Sequence, residues 1–178
     1  LAAPEPAGTM TAAGPGAPGA GAGLARRLAA LVYETLIVAA IVLVAGFALT
    51  PLMSPVAAPG AAPIVPGIAG RAAGFAGVVA LLGVYFVWCW TSGRRTLPMK
   101  TWRLRIVDTG GAPLGARRAS ARYAAAWIGP AIAVATYAST HSPYASLALA
   151  TGYAWALVDP DRAFLHDRLA GSRIVRDA

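Results

Sequence analysis

Arg27 and Glu34 are two ionisable residues that share one face of a predicted helix, and together they could carry chemistry. They lie seven positions apart, about two turns, which corresponds to roughly 10.5 Å along a helix axis. If Arg27 lies among lipid headgroups, Glu34 lies in the hydrocarbon, where an unpaired carboxylate costs several kcal/mol. One hypothesis is that Glu34 faces a polar cavity and binds a proton or a cation in turn. The alternative is an ion pair with a basic residue of another helix, for which Arg122 is the best candidate.

The run His166-Asp167-Arg168 near the end of the chain is the second group of interest. In one interpretation His166 accepts a proton near neutral pH while Asp167 orients its ring. In the other, Asp167 forms a charge-assisted bond with Arg27 or Arg26 and ties the tail to the first helix. The sequence contains no nucleophile–base set, metal-ligand spacing or phosphate loop, so we expect no catalysis, no cofactor and no metal.

The composition indicates that these residues belong to a membrane protein. Of the 178 residues, 57% are apolar and 12% are charged, and the mean hydropathy is +0.60. Soluble domains carry about 25% charged residues. The single cysteine excludes a disulfide within the chain. An ordinary soluble enzyme domain and a charged disordered chain are therefore both excluded.

Four apolar stretches predict an all-α membrane protein, a bundle of four transmembrane helices. About 20 helical residues cross a hydrocarbon core of ~30 Å. The predicted helices cover about 28–50, 68–92, 119–139 and 143–158. The third helix is expected to kink at Pro130. The fourth is short for a crossing, so a re-entrant segment is the alternative.

The rest of the chain divides into a tail, a loop and two polar segments. Residues 1–23 are rich in Ala, Gly and Pro, and are predicted to be a disordered tail ahead of a membrane domain over 24–176. The proline-rich stretch 51–67 is predicted to be an irregular loop. A polar C-terminal tail covers 159–178.

The basic segment 93–118 has an alternating pattern. Leu104 and Ile106 alternate with Arg103 and Arg105, a period of two that is typical of a strand. We expect a small β-hairpin-like segment or an interfacial amphipathic segment on the membrane surface.

The positions of the basic residues predict the orientation in the membrane. The formal net charge is +8, and with four crossings all basic residues except Arg71 fall on one side. That side is cytoplasmic, with both termini, because basic residues in short loops stay inside. We expect anionic lipid headgroups as partners, rather than nucleic acid. The residues expected to contact headgroups are Arg94, Arg95, Lys100, Arg103 and Arg105.

Three stretches carry a resemblance to a known family. They are 27–34, with its arginine and an acid seven residues later, 93–108, with Thr-Leu and Met-Lys pairs, and 164–175, which reads Phe-Leu-His-Asp-Arg-Leu-Ala-Gly-Ser-Arg-Ile-Val. Together they resemble the RDD family of small bacterial integral membrane proteins. The resemblance implies that Arg27, Glu34 and Asp167 match the family's arginine and its two acids, although the family usually has aspartate where this chain has Glu34.

The resemblance also implies a multi-pass protein of the bacterial inner membrane. It does not imply one activity for the family, although transport, including cation/proton antiport, is suggested for some members. A homo-oligomer is expected for transport, since four helices alone enclose little pathway. A non-transporting module that binds anionic lipid or a partner protein through its basic face is the alternative. The partner protein is not indicated by the sequence.

Overall fold

A computed structural model describes residues 22–53 and 65–177 of the chain. Most of the tail predicted over 1–23 and the centre of the loop predicted over 51–67 lie outside these residues. The described part is mostly helical, with one small two-stranded sheet. This agrees in outline with the prediction of a helical protein that has a small β segment.

The first two helices are the long elements of the fold. Helix α1 covers Leu24–Met53 and helix α2 covers Ile68–Trp90. The most apolar 18-residue stretches within Leu24–Leu49 and Ile68–Trp90 have mean hydropathies of 2.5 and 2.0, and only 6% and 11% of these stretches is buried. A core helix of a soluble protein would be mostly covered, so these exposed apolar surfaces fit a lipid environment. Within the described ranges, these two helices are long and apolar enough to cross a membrane.

The basic segment forms a strand whose partner is remote in sequence. Helix α3, Leu97–Thr101, is followed by strand β1, Leu104–Asp108, and β1 pairs antiparallel with strand β2, Ser172–Arg176. Locally, β1 makes an isolated antiparallel bridge from Val107 to Pro113, as a hairpin-like segment would. The strand that pairs along its whole length is instead supplied by the C-terminal tail, which was not predicted. The tail pairs there since it adds apolar Val175 to the buried side chains Leu104 and Ile106.

The third predicted helix is divided into two. Helix α4 covers Ala116–Ala126 and helix α5 covers Ile128–Thr140, with Trp127 between them. Pro130 has no backbone N–H, so the carbonyl of residue 126 lacks its usual helical partner. The break thus lies one turn before the proline that predicted a kink.

The fourth predicted helix, 143–158, is not one continuous α-helix. It consists of a 3₁₀ segment Pro143–Ala150, the single turn α6 over Thr151–Ala154, and a second 3₁₀ segment Trp155–Leu157. Helix α7, Leu165–Leu169, then leads into β2. The third and fourth predicted helices are thus divided segments, and α1 and α2 are the two helices of the described chain that are long and apolar enough to cross a membrane.

The buried core lies at one end of the long helices, where they meet the strand pair. Its members include Ala30 of α1, Cys89 and Trp90 of α2, and Leu104 of β1. The start of α1 and the end of α2 are therefore neighbours, which makes the two helices antiparallel. This core end positions the charged residues described next.

Candidate functional site

Asp167 lies at the centre of a buried ion cluster that joins three elements. Its side chain is fully buried, and its Oδ2 lies 2.9 Å from Nη2 of Arg27 in α1. Its Oδ1 binds Nη1 of Arg122 in α4. The structure thus contains the bond between Asp167 and Arg27 that the anchor interpretation describes. Arg122, which the sequence suggests as the partner of Glu34, instead binds Asp167, because α7 brings this carboxylate against α4.

Further contacts hold the cluster in place. The backbone N–H of Phe164 donates to Oδ2 of Asp167 at 3.3 Å, and Arg122 donates to Oγ of Ser172 at 2.9 Å. The guanidinium of Arg27 lies 4.2 Å from the centre of the Phe164 ring, and that of Arg122 lies 5.0 Å from the Trp90 ring. Such cation–π contacts suit guanidinium groups with little access to water.

His166 lies beside this cluster without a hydrogen bond to Asp167. Its Nε2 is 3.9 Å from Oδ1 of Asp167, beyond hydrogen-bonding range, because the two arginines already occupy the carboxylate. Burial and the positive charges of Arg122 and Arg27 hold the pKa of His166 well below its usual value of 6.5. The ring is therefore neutral at physiological pH. The geometry does not supply the orienting bond that the proton-acceptor interpretation requires.

Glu34 is held by two neutral hydroxyl groups. The hydroxyl of Thr96 donates to Oε2 of Glu34 at 2.7 Å, and the hydroxyl of Tyr85 donates to Oε1 at 3.4 Å. Thr96 is also the N-cap of α3, where its Oγ1 accepts from the N–H of Met99. Glu34 is therefore fixed between α1, α2 and the start of α3. Its contacts leave its charge without a neutralising guanidinium at hydrogen-bonding distance among the described residues.

A cavity of about 350 Å³ adjoins both charged groups. Glu34 lies on its wall, and so do Arg27, Arg122 and His166. Apolar side chains from several elements line most of the remainder, among them Val38, Leu82, Phe86, Trp127 and Pro130. The seven-residue spacing of Arg27 and Glu34 thus places both side chains on one shared cavity.

A second cavity, of about 390 Å³, also adjoins the ion cluster. Its wall includes Asp167, Ser172 and Arg173, and it shares Arg27 and Ile174 with the first cavity. Arg27 therefore borders both an apolar cavity and a more polar one.

Arg168, the third residue of the His-Asp-Arg run, is turned away from the cluster. It is half exposed, and it pairs with Asp159 at 3.1 Å and with Asp161 at 3.0 Å. Oδ2 of Asp159 in turn accepts from the backbone N–H groups of Asp161 and Ala163. Arg168 thus fastens the loop that precedes α7.

The residues predicted to contact lipid headgroups are partly engaged within the chain. Arg94 donates to the carbonyl of Trp88 at 2.7 Å and lies over its ring. Arg95 and Arg105 both pair with Asp177. Arg103 and Lys100 are exposed on the same surface.

Several contributors to the site were missed at the level of sequence. Thr96 and Tyr85 hold Glu34, and Trp90 stacks on Arg122, yet none carries a charge that would mark it. The only available signal for Thr96 was its position as a helix N-cap before Leu97-Pro98. Tyr85 and Trp90 look like ordinary members of an apolar helix.

Comparison with known proteins yields one family. The model of the RDD family matches residues 21–171, which is most of the chain and includes both Glu34 and Asp167. No curated protein and no solved structure matches the sequence.

Proposed function

The chain belongs to the RDD family, and we propose that it is a multi-pass protein of the bacterial inner membrane that exchanges a proton at Glu34 in the course of transport. Its membrane association follows from the family and from the two apolar helices.

The proposal rests on one observation, the environment of Glu34. The carboxylate lies on a cavity wall and accepts hydrogen bonds from two neutral hydroxyl groups. A structural ion pair would place a guanidinium against it, and Arg122 is committed to Asp167. Hydroxyl groups can serve either protonation state, because each can donate to the carboxylate and accept from the acid. Such a carboxyl group can change its charge without losing its partners.

A proton fits this site better than a metal cation. Hard divalent cations take about six oxygen ligands. The Glu34 carboxylate and the hydroxyls of Thr96 and Tyr85 provide fewer, and apolar side chains form most of the remaining wall. A proton needs a single oxygen atom. We therefore assign the exchangeable species as a proton and leave any cation to another part of the pathway.

The ion cluster supplies an entrance to the site. The polar cavity and the apolar cavity share Arg27, and Asp167 lies beside it. A small movement of the Arg27 side chain would connect them. Protons would then pass from the polar cavity to Glu34 through a gap that the Arg27–Asp167 pair normally closes.

The proposed topology has four crossings with both termini in the cytoplasm. Pairing of β1 with β2 and of Arg27 with Asp167 supports this arrangement, because these contacts require the start of α1, the basic segment and the tail to share one side. The divided segments over 116–140 and 143–157 would form the second pair of crossings. Basic residues on the shared side favour the cytoplasm. A homo-oligomer would complete the pathway.

Proton flux in proteoliposomes tests the proposed function. The purified protein is reconstituted with a pH-sensitive dye inside the vesicles, and the internal pH is followed after an imposed proton gradient. We expect Glu34→Gln to abolish the protein-dependent flux, while Glu34→Asp retains part of it. Asp108→Asn, at an acid that lines neither cavity, is the matched control and should leave flux unchanged. Flux that persists in Glu34→Gln would exclude Glu34 as the exchanging group.

A second candidate function is the binding of anionic lipid through the basic face. Arg94 stacks over exposed Trp88 at the end of α2, an arrangement suited to the membrane interface, and Arg103 is exposed nearby. Nanodiscs of phosphatidylglycerol and of phosphatidylcholine would separate this function from transport. Binding of anionic lipid would be supported if the protein were more thermally stable in phosphatidylglycerol than in phosphatidylcholine and the double variant Arg103→Glu, Arg105→Glu lost this difference. Equal stability in both lipids would exclude it.

A further inference from the structure

Three buried N–H groups, each on a residue that lines the apolar cavity, have no hydrogen-bond partner among the residues that the structure describes. They are Nε of Arg27, Nε of Arg122 and Nε1 of Trp90. The exposed fractions of these residues are 6%, 3% and 8%. A buried donor without a partner costs about 1–3 kcal/mol, so three such groups on one cavity require an explanation.

Positive charge exceeds negative charge at the end of the cavity where these donors lie. Arg27 and Arg122 form ion pairs with the same carboxylate, that of Asp167. Asp159 also attracts Arg27, but its own oxygens bind Arg168 and two backbone N–H groups. His166 adds no negative charge. Two guanidinium groups with one shared carboxylate favour the approach of a further anion.

The remainder of the cavity suits an apolar chain. Its lining runs along α1 from Arg27 to Val38, which corresponds to ~16 Å at the rise of an α-helix. Its volume of about 350 Å³ lies within the range of about 300–1,000 Å³ that is typical of ligand sites. Phe86, Trp127 and Pro130 offer aromatic and aliphatic surface but no charge. A ligand of this shape has a polar head at one end and a hydrocarbon body.

We propose that this cavity binds an amphiphile with an anionic head, whose oxygens accept hydrogen bonds from Arg27, Arg122 and Trp90. The head is a carboxylate or a phosphate ester, and the body is an alkyl chain that lies along α1. The head lies at the arginine end of the cavity, and the alkyl chain passes Glu34, which lies on the same wall. A fatty acid and a single-chain phospholipid share this chemistry.

Direct binding of a radiolabelled probe tests the proposal. Tritiated dodecanoate is titrated onto the full-length protein in digitonin, a detergent without an alkyl chain, and bound label is read by scintillation proximity. Unlabelled dodecyl phosphate, dodecanol and inorganic phosphate serve as competitors. We expect the label to bind saturably. Unlabelled dodecanoate and dodecyl phosphate should displace it, whereas dodecanol and inorganic phosphate should not. The stronger of the two anionic competitors identifies the head.

Two variants connect the binding to this cavity. Trp90→Phe keeps an aromatic ring beside Arg122 but removes one donor, and it should weaken binding about tenfold, as expected for a hydrogen bond to a charged group. Ala126→Leu places a larger side chain on the cavity wall and should weaken binding by a similar factor. Ala124→Leu is the matched control, because Ala124 is exposed on the same helix. Size-exclusion profiles establish that each variant is folded.

Several results would overturn the proposal. Equal displacement by dodecanol would mean that the cavity recognises only the chain. If inorganic phosphate displaced the label and dodecyl phosphate did not, the cavity would be a site for small anions. Absence of saturable binding, or unchanged binding in folded Trp90→Phe, would mean that the three N–H groups serve no anionic ligand.

Discussion

Arg27 and Asp167 form a buried ion pair of 2.9 Å between residues 140 positions apart in the chain. The pair closes the fold, because it joins the first turn of α1 to the helix that precedes the last strand. Arg122 binds the same carboxylate from α4. Three separate segments thus depend on one acidic side chain.

We expect Asp167→Asn to destabilise the protein by about 3–5 kcal/mol, because it leaves two buried guanidinium groups without a counter-charge. Thermal unfolding in detergent measures the effect. Asp161→Asn is the control, since Asp161 pairs with Arg168 at the surface and should cost less than about 1 kcal/mol. Equal losses in the two variants would contradict a central role for Asp167.

The hydroxyls that hold Glu34 should differ in importance. Thr96→Val removes the donor at 2.7 Å, and we expect a loss of about 1–3 kcal/mol in stability together with reduced proton flux. Tyr85→Phe removes a donor at 3.4 Å, a distance at which a hydrogen bond is weak, so its effect should be smaller. Thermal unfolding and proton flux, measured on both variants, show which hydroxyl contributes more. A larger effect for Tyr85→Phe would show that Thr96 is not the main partner.

Stability should fall on mild acidification because of His166. Its pKa is lowered in the fold by burial and by Arg122 and Arg27, so below about pH 6.5 the unfolded chain binds a proton that the folded chain does not. The free energy of unfolding should therefore decrease as pH falls through this value, by at most about 1.4 kcal/mol per pH unit from this group.

Denaturation curves between pH 7.5 and 5.5 measure this slope. His166→Gln should reduce it, while His141→Gln, at an exposed histidine, should not. A slope that is unchanged in folded His166→Gln would assign the pH dependence to other groups.

Close packing at Gly129 should make a small substitution costly. A Cβ atom there would lie 3.1 Å from the carbonyl oxygen of Ala148 and 3.2 Å from that of Leu149, and backbone carbonyls do not move aside easily. We expect Gly129→Ala to destabilise the protein by about 1–3 kcal/mol in thermal unfolding. Gly77→Ala, where nothing lies within 4 Å, should be neutral or stabilising. A neutral Gly129→Ala would mean that α5 and the 3₁₀ segment separate freely.

The parts of the fold that follow from local pattern were predictable. Long uninterrupted apolar stretches are sufficient for α1 and α2, and the period-two pattern around Leu104 is sufficient for a strand. The partner of that strand, Ser172–Arg176, was not predicted, because local alternation does not reveal a remote pairing. Hydropathy also cannot separate an α-helix from 3₁₀ turns, so the segment after Pro143 was predicted as one helix.

The contacts of the candidate site that could be predicted are those between opposite charges. A buried acid needs a counter-charge, and this requirement connects Asp167 with Arg27. The partner of Glu34 was predicted wrongly because two carboxylates competed for Arg122, and only the fold shows which lies closer. Neutral donors such as Thr96 leave no mark in the charge pattern.

The account depends most on the placement of the strand pair and both termini on the cytoplasmic side of a membrane. Cysteine accessibility tests this directly in a Cys89→Ala background, with Thr109→Cys beside β1 and Thr140→Cys at the end of α5, both at exposed positions. A membrane-impermeant maleimide is applied to intact spheroplasts and to inverted vesicles. We predict that position 109 reacts only in inverted vesicles and position 140 only in spheroplasts. Reaction of position 109 in intact spheroplasts, or of both positions from the same side, would contradict the account.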